Sequence, residues 1–240
     1  MGVLWLSRCS ASRQAEVMTN TSHAASEQLT DVHDMVVVHR VFRREFRLLP
    51  DLVRRVAPGD TNRATVVAAH ARLVLGGLEM HHTGEDALLW PKLLQRAAPS
   101  AELIHRMESQ HHRVEELTGE LSESLTRWEA EARPAVGEEV AATFDALRIA
   151  LLEHLDDEDR HILPLAARHV TQEEWDGLGQ HGMAKVDKSQ LPILFGCLLE
   201  EASPQERREM LGLVPVPVRV LLRTVFAWQY RRYITRVRSV

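Results

Sequence analysis

The chain has 240 residues, a formal charge of −5, 45% hydrophobic residues and 26% charged residues. This composition can bury one sizeable core, gives no general case for nucleic-acid binding, and contains no run near the roughly 20 apolar residues of a membrane span. Two cysteines, Cys9 and Cys197, are too few for a disulfide framework and suit a reducing cytoplasm, whereas thirteen histidines are an excess that needs a reason.

Residues 1–28 are rich in Ser, Ala and Thr and read as a disordered N-terminal segment, without the basic start and long apolar run of a signal peptide. Four long segments follow with apolar residues at alternating steps of three and four, the mark of bundle helices. The first starts near Asp31, with Thr30 or Asp31 as N-cap, on a stripe of Val32, Met35, His39, Phe42, Phe46, Leu49 and Val53. His39 is the one polar residue in that stripe. The second runs from about Asn62 to Arg96 through Val67, Val74, Leu78, His81, Glu85 and Leu88, and Pro91 is expected to bend or end it.

The third helix opens at Pro99-Ser100 and carries Ile104, Met107, His111, Val114, Leu121, Leu125 and Trp128 on one face. After a turn from Pro134 to Gly137, the fourth aligns Val140, Phe144, Leu147, Leu151, His154, Glu158, His161 and Leu165. Short connections favour antiparallel neighbours, so residues 29–168 are expected to form an all-α, up-down-up-down four-helix bundle. Residues 169–240 read as a helical C-terminal extension, with capping boxes at Thr171-x-x-Glu174 and Ser203-x-x-Glu206 and a helix from Leu191 to Glu201. Its last 24 residues, from Pro217, hold six arginines and no acid among Val220, Leu221, Phe226, Trp228, Tyr230 and Tyr233. That stretch is expected to pack on the bundle or on a second subunit, with its arginines in solvent.

The chemistry is concentrated in a repeat. His81-x-x-x-Glu85-Asp86-x-x-x-x-Pro91 recurs as His154-x-x-x-Glu158-Asp159-x-x-x-x-Pro164. A His and a Glu four apart share one helix face, about 6 Å apart along the axis, and can ligate one ion or let the carboxylate bridge two. One such pair is usually a solvated surface pair. Here it occurs twice, and His39 and His111 stand in phase on the other two helices. A mixed His and Glu set without thiolate favours iron, with manganese or zinc behind it. His70 and His105 read instead as hydrogen-bonded structural histidines. His82 and His112, each beside a candidate ligand, should point about 100° away from it.

These motifs, in VHRVFRREF, HHTGEDALLWP, MESQHHRVEEL and HLDDEDRHILPL, resemble the hemerythrin family in its HHE cation-binding branch over about residues 31–168. The resemblance implies two non-haem irons, oxo- and carboxylate-bridged, held by His39, His81, Glu85, His111, His154 and Glu158, with Glu85 and Glu158 as the bridging carboxylates. It implies O2, H2O2 or NO as the small-molecule partner, and catalase-like peroxide decomposition as a candidate activity. Oxygen-carrying members have a second histidine one turn before His111, where this chain has Met107. The expectation is therefore an iron short of one ligand, with His161 as a proton donor beside it. Two rivals are a ferritin-like diiron carboxylate site built on Glu79-x-x-His82 and Glu158-x-x-His161, and a metal-sensing regulator without turnover.

Overall fold

The computed structural model describes residues 29–239, so the segment expected to be disordered, Cys9 included, lies outside the described residues. Every regular element among the described residues is helical. In chain order these are α1 (His33–Arg54), α2 (Thr61–Leu88), α3 (Trp90–Arg96), α4 (Ala101–Glu131), α5 (Pro134–Asp157), α6 (Leu163–His169), α7 (Gln172–Lys185), α8 (Leu191–Glu201), α9 (Pro204–Gly212), α10 (Val216–Leu221) and α11 (Ala227–Arg238). Two π-turns, Glu158–Ile162 and Leu222–Phe226, join α5 to α6 and α10 to α11.

Local chemistry explains most of the boundaries. The Asp60 carboxylate caps α2 by accepting from the Arg63 amide at 2.9 Å. Both expected capping boxes in the extension form. At the start of α1, however, Val32 is the capping residue and makes no side-chain cap bond. Thr30 is used elsewhere, its amide donating to the Ala167 carbonyl and its hydroxyl to the Val170 carbonyl. The second predicted helix divides. It breaks at Leu89 and restarts as α3 with Pro91 in its first turn, since proline has no amide to continue the ladder. The matching Pro164 opens α6 directly after the π-turn.

Helix α1 lies against α5 and α2, and α4 lies against the same two helices. Their interior forms two apolar clusters. One gathers Phe46, Leu49, Leu78, Leu121, Leu125, Trp128, Phe144 and Leu147; the other gathers Met35, Trp90, Leu93, Ile104, Met107, Ile162 and Trp175. Helices α1 and α4 run from the second cluster to the first, and α2 and α5 run from the first to the second. In all four, the buried residues of the His/Glu set (His39, His82, Glu85, His111, His154 and Glu158) fall between the clusters, whereas Glu45 and His70 are buried within the first.

The extension is bound to this body by a buried polar network. Helices α8 and α11 pack on each other, α8 on α1, and α11 on α2. Arg44 donates to Glu45 at 2.8 Å, to Glu201 at 2.7 Å and to the Cys197 carbonyl. The other Glu45 oxygen lies 3.0 Å from His70 Nε2, and His70 Nδ1 lies 3.1 Å from the Tyr233 hydroxyl. Arg238 reaches Glu45 and Glu200, and Tyr230 donates to Glu200. His70 is thus a structural, hydrogen-bonded residue. Gly196 is required where α8 meets α11, because a Cβ there would overlap the Tyr230 ring.

Burial opposes ionisation of Glu45, but His70 and Arg44 outweigh it and hold the carboxyl down to about 2. A depressed carboxyl stabilises the fold above its unfolded value, and that stability is lost as pH falls from about 4.5 toward 2. At neutral pH this corresponds to roughly 3 kcal/mol. Glu45→Gln is expected to lower stability by a few kcal/mol at pH 7 and to flatten the acid limb of thermal melts recorded between pH 6 and pH 3. Equal pH profiles for variant and parent would remove this role.

Candidate metal centre

The centre is built from side chains on α1, α2, α4, α5 and the π-turn that follows. Stripe positions place His39 on α1, His111 on α4 and His154 on α5 in the interior, all buried. The Glu85 and Glu158 side chains are completely buried, with no apolar way to satisfy their oxygens. His81 is buried save for a small edge, with its Nδ1 at 3.5 Å from Glu85. His39 Nε2 lies 3.2 Å from Glu158, His111 Nε2 lies 3.5 Å from Glu85, and His154 Nε2 lies 3.6 Å from Glu158. His111 and His154 face each other through their Nε2 atoms at 3.2 Å.

Two groups emerge that could each hold an ion. One is His39, His81, Glu85 and Glu158; the other is His82, Glu85, His111 and His154. Within each group the candidate donor atoms all lie within 4.8 Å of one another, and Glu85 belongs to both. The structure therefore brings together all six residues that the sequence marked as metal ligands and adds a seventh, His82.

His82 corrects an expectation. Helix geometry turns it about 100° from His81, which suggests a position away from the centre. It is instead buried, with its ring stacked on that of His111 at 4.0 Å between centroids and 4.9 Å from the His154 ring. The two candidate groups together draw on more of α2 than one stripe, so the adjacent residues His81 and His82 fall in different groups. Met107, one turn before His111, is fully buried among apolar side chains. The donor expected to be missing at Met107 is thus offered from α2.

The outer groups explain why the motif repeats Asp as well as Glu. Asp86, in the first copy, lies 2.8 Å from His111 Nδ1; Asp159, in the second, lies 2.6 Å from His39 Nδ1. Each copy thus supplies an inward Glu and an Asp that orients the lone histidine of a neighbouring helix, leaving that ring's Nε2 turned inward. Trp90 donates to Asp86 and Arg43 donates to Asp159, both at 2.8 Å. Gln110 lies 3.4 Å from His154 Nδ1. Sequence reading missed the roles of Asp86 and Asp159, although their repetition was the available signal.

His161, expected as a proton donor, is exposed. It lies in the Glu158–Ile162 π-turn, whose wider winding carries it off the face shared by His154 and Glu158. Glu79 is exposed as well, so neither Glu-x-x-His pair of the ferritin-like alternative delivers both members inward. His105 and His112 are surface residues paired with glutamates on their own helix.

The electrostatics of the cavity are those of a site that needs cations. His39 Nε2, His81 Nε2, His82 Nε2 and both oxygens of Glu85 and of Glu158 are buried without a hydrogen-bond partner. Unpaired buried acceptors on this scale are costly, and divalent ions would satisfy all of them together. Burial and the neighbouring Glu158 charge push Glu85 up to about 8. Glu158 is held well below the usual carboxylate range, since His39 and other histidines outweigh its burial. His39 rises to about 10 despite burial, through Glu158 and Asp159; His111 rises to about 9 despite burial, through Asp86 and Glu85. Burial lowers His154 to about 4 and takes His81 and His82 well below their ordinary value, leaving neutral rings with a free lone pair.

The hemerythrin HHE cation binding domain matches residues 30–166, more than half of the chain. The chain belongs to the hemerythrin HHE family. No curated protein and no solved structure matches it. The match ends within α6, so this hemerythrin-family chain carries α7 to α11 outside it. The family and the His/Glu cluster together make it a metal-binding protein.

Two predictions follow from the geometry. Ligation at these atoms requires His39, His111 and Glu85 to lose protons held near neutral pH, so ferrous-iron affinity should rise with pH from 6 to 8 and binding should release protons. Calorimetry in buffers of different ionisation enthalpy measures this, and a pH-independent affinity would contradict it. Asp86→Asn and Asp159→Asn should each weaken binding of one ion by roughly 10- to 100-fold while leaving the other, whereas His161→Ala should leave both unchanged. Stepwise ferrous titration separates these cases.

Proposed function

We propose that this hemerythrin-family protein holds two non-haem irons between the two halves of an up-down-up-down four-helix bundle and binds or reacts with O2, H2O2 or NO there. The bundle direction is supported by the alternating order in which α1, α2, α4 and α5 meet the two apolar clusters. The observation that carries the metal reading is the convergence of seven unpartnered buried nitrogen and oxygen atoms on two groups that share Glu85. Mixed imidazole and carboxylate donors without thiolate suit iron. His39, His81 and Glu158 would complete one site, His82, His111 and His154 the other, and Glu85 would bridge them. Glu158, 3.6 Å from His154, is the second candidate bridge.

Two irons held by these residues would supply paired electrons to a small oxidant or bind a diatomic ligand. The chain's own residues exclude water and manage protons. Phe42 covers His81 at 5.3 Å and Trp90 covers His111 at 5.7 Å between ring centroids. Asp86 and Asp159 are half-exposed and touch His111 and His39, so they connect buried imidazoles to solvent in the role once expected of His161.

Elemental analysis of protein purified without added metal is the direct test, with two irons per chain expected. His82→Ala should reduce this to about one. Two irons retained in His82→Ala would remove His82 from the ligand set, and no iron in the parent, with no anaerobic ferrous uptake, would end the diiron reading. Peroxide decomposition and NO consumption by the two-iron protein then separate turnover from simple binding.

A further inference from the structure

Large apolar side chains that remain exposed are not scattered over the described residues. Six of the eight lie between residues 213 and 228: Leu213, Val216, Val220, Leu221, Val225 and Trp228. Five of them stand on the outer side of the continuous helical run 216–238, whose inner side buries Leu222, Tyr230, Ile234 and Val237. Val216 is 65% exposed, Val220 56% and Trp228 51%, values far from those of a core face. Monomeric surfaces rarely gather so many in one place without a partner.

The charge carried by this run itself is of one sign, with Glu200 of α8 the acid beside it. No acid occurs after Glu209, and the run holds Arg219, Arg223, Arg231, Arg232, Arg236 and Arg238. Arg238 is committed to Glu200 and Glu45, and Arg219 to the Gly212 and Val214 carbonyls. Arg223, Arg231, Arg232 and Arg236 pair with no carboxylate among the described residues. The Arg232 guanidinium lies over the Trp228 ring at 5.1 Å, so a cation and an indole are presented together.

We propose that the outer face of the 216–238 run docks in the plane of an anionic lipid surface, with Val216, Val220, Val225 and Trp228 in the headgroup–acyl boundary and the free arginines on lipid phosphates. Aliphatic side chains, an interfacial tryptophan and a polar complement of arginines are the composition of an interfacial helix. A second copy of the chain is disfavoured on this face, because a two-fold contact would oppose arginine to arginine with no acid between them. Nucleic acid would satisfy the arginines but leave the valines in water. The inference stands apart from the metal reading, since none of these side chains belongs to the centre.

The test is co-sedimentation of the full chain with phosphatidylglycerol-containing vesicles and with phosphatidylcholine vesicles, with circular dichroism and iron content as controls for folding. Expected are binding to the anionic vesicles only, a blue shift of emission absent in Trp228→Phe, and about a tenfold loss in both the Val220→Glu/Val225→Glu and the Arg223→Glu/Arg232→Glu variants. No anionic-vesicle binding, or binding unchanged in the valine variant, would overturn the proposal. So would a stable dimer that dissociates in the valine variant, or a DNA complex that needs only the arginines.

Discussion

Two wholly buried glutamates, with imidazoles as their polar neighbours, lie at the centre of this protein, and the rest of the structure is arranged around the cost of burying them. Glu85 and Glu158 are both wholly buried, and all four of their oxygens lack a hydrogen-bond partner. Apolar clusters lie above and below the pair, and their unequal surroundings set the two carboxyls apart in acidity, Glu85 raised by burial and by Glu158, Glu158 lowered by His39 and other histidines. Bound cations would answer both demands. Five histidines within the same cavity supply the remaining donors, three of them kept neutral by burial.

The second organising fact is an approximate two-fold relation between α1 with α5 and α2 with α4. His39 corresponds to His111, His81 to His154, and Glu85 to Glu158, while Asp159 and Asp86 each orient the lone histidine of a neighbouring helix. The relation continues outward. Met35 and Met107 sit one turn before the lone histidines, and Pro91 and Pro164 stand beyond the carboxylates where regular α-helix is interrupted. The interruptions differ, a kink at Leu89 against a π-turn at Glu158–Ile162, and so does the donor set, because His82 has no counterpart histidine on α5. The two ions would then have unequal surroundings, a difference on which separate roles for two metals can be built.

The extension is secured by polar contacts as much as by apolar ones. Arg44 and Glu45 come from α1 and His70 from α2; Glu200, Glu201, Tyr233 and Arg238 come from α8 and α11, and each pairs across the join. Such a network costs little while complete and much when one member is removed. It fixes which face of α11 turns inward, and so also which face of the 216–238 run remains in solvent with its valines and arginines.

Spacing along the chain determined the helices, the His/Glu pairs and the family, since the 3.6-residue period and the doubled motif depend only on local geometry and hydrophobic pattern. Pro91 marked in advance where the second helix would fail, whereas the fourth was read unbroken to Leu165 and is interrupted at Glu158–Ile162. Three matters were decided only by tertiary structure. His82 enters the centre because the His/Glu cluster is wider than one helix stripe, and a phase argument on a single helix cannot register that width. His161 leaves it because the π-turn changes the winding after Glu158, a local change of hydrogen-bond register that residue identity does not announce. Asp86 and Asp159 take their partners from other helices, and a contact between residues 25 or 120 positions apart exists only once four helices have packed.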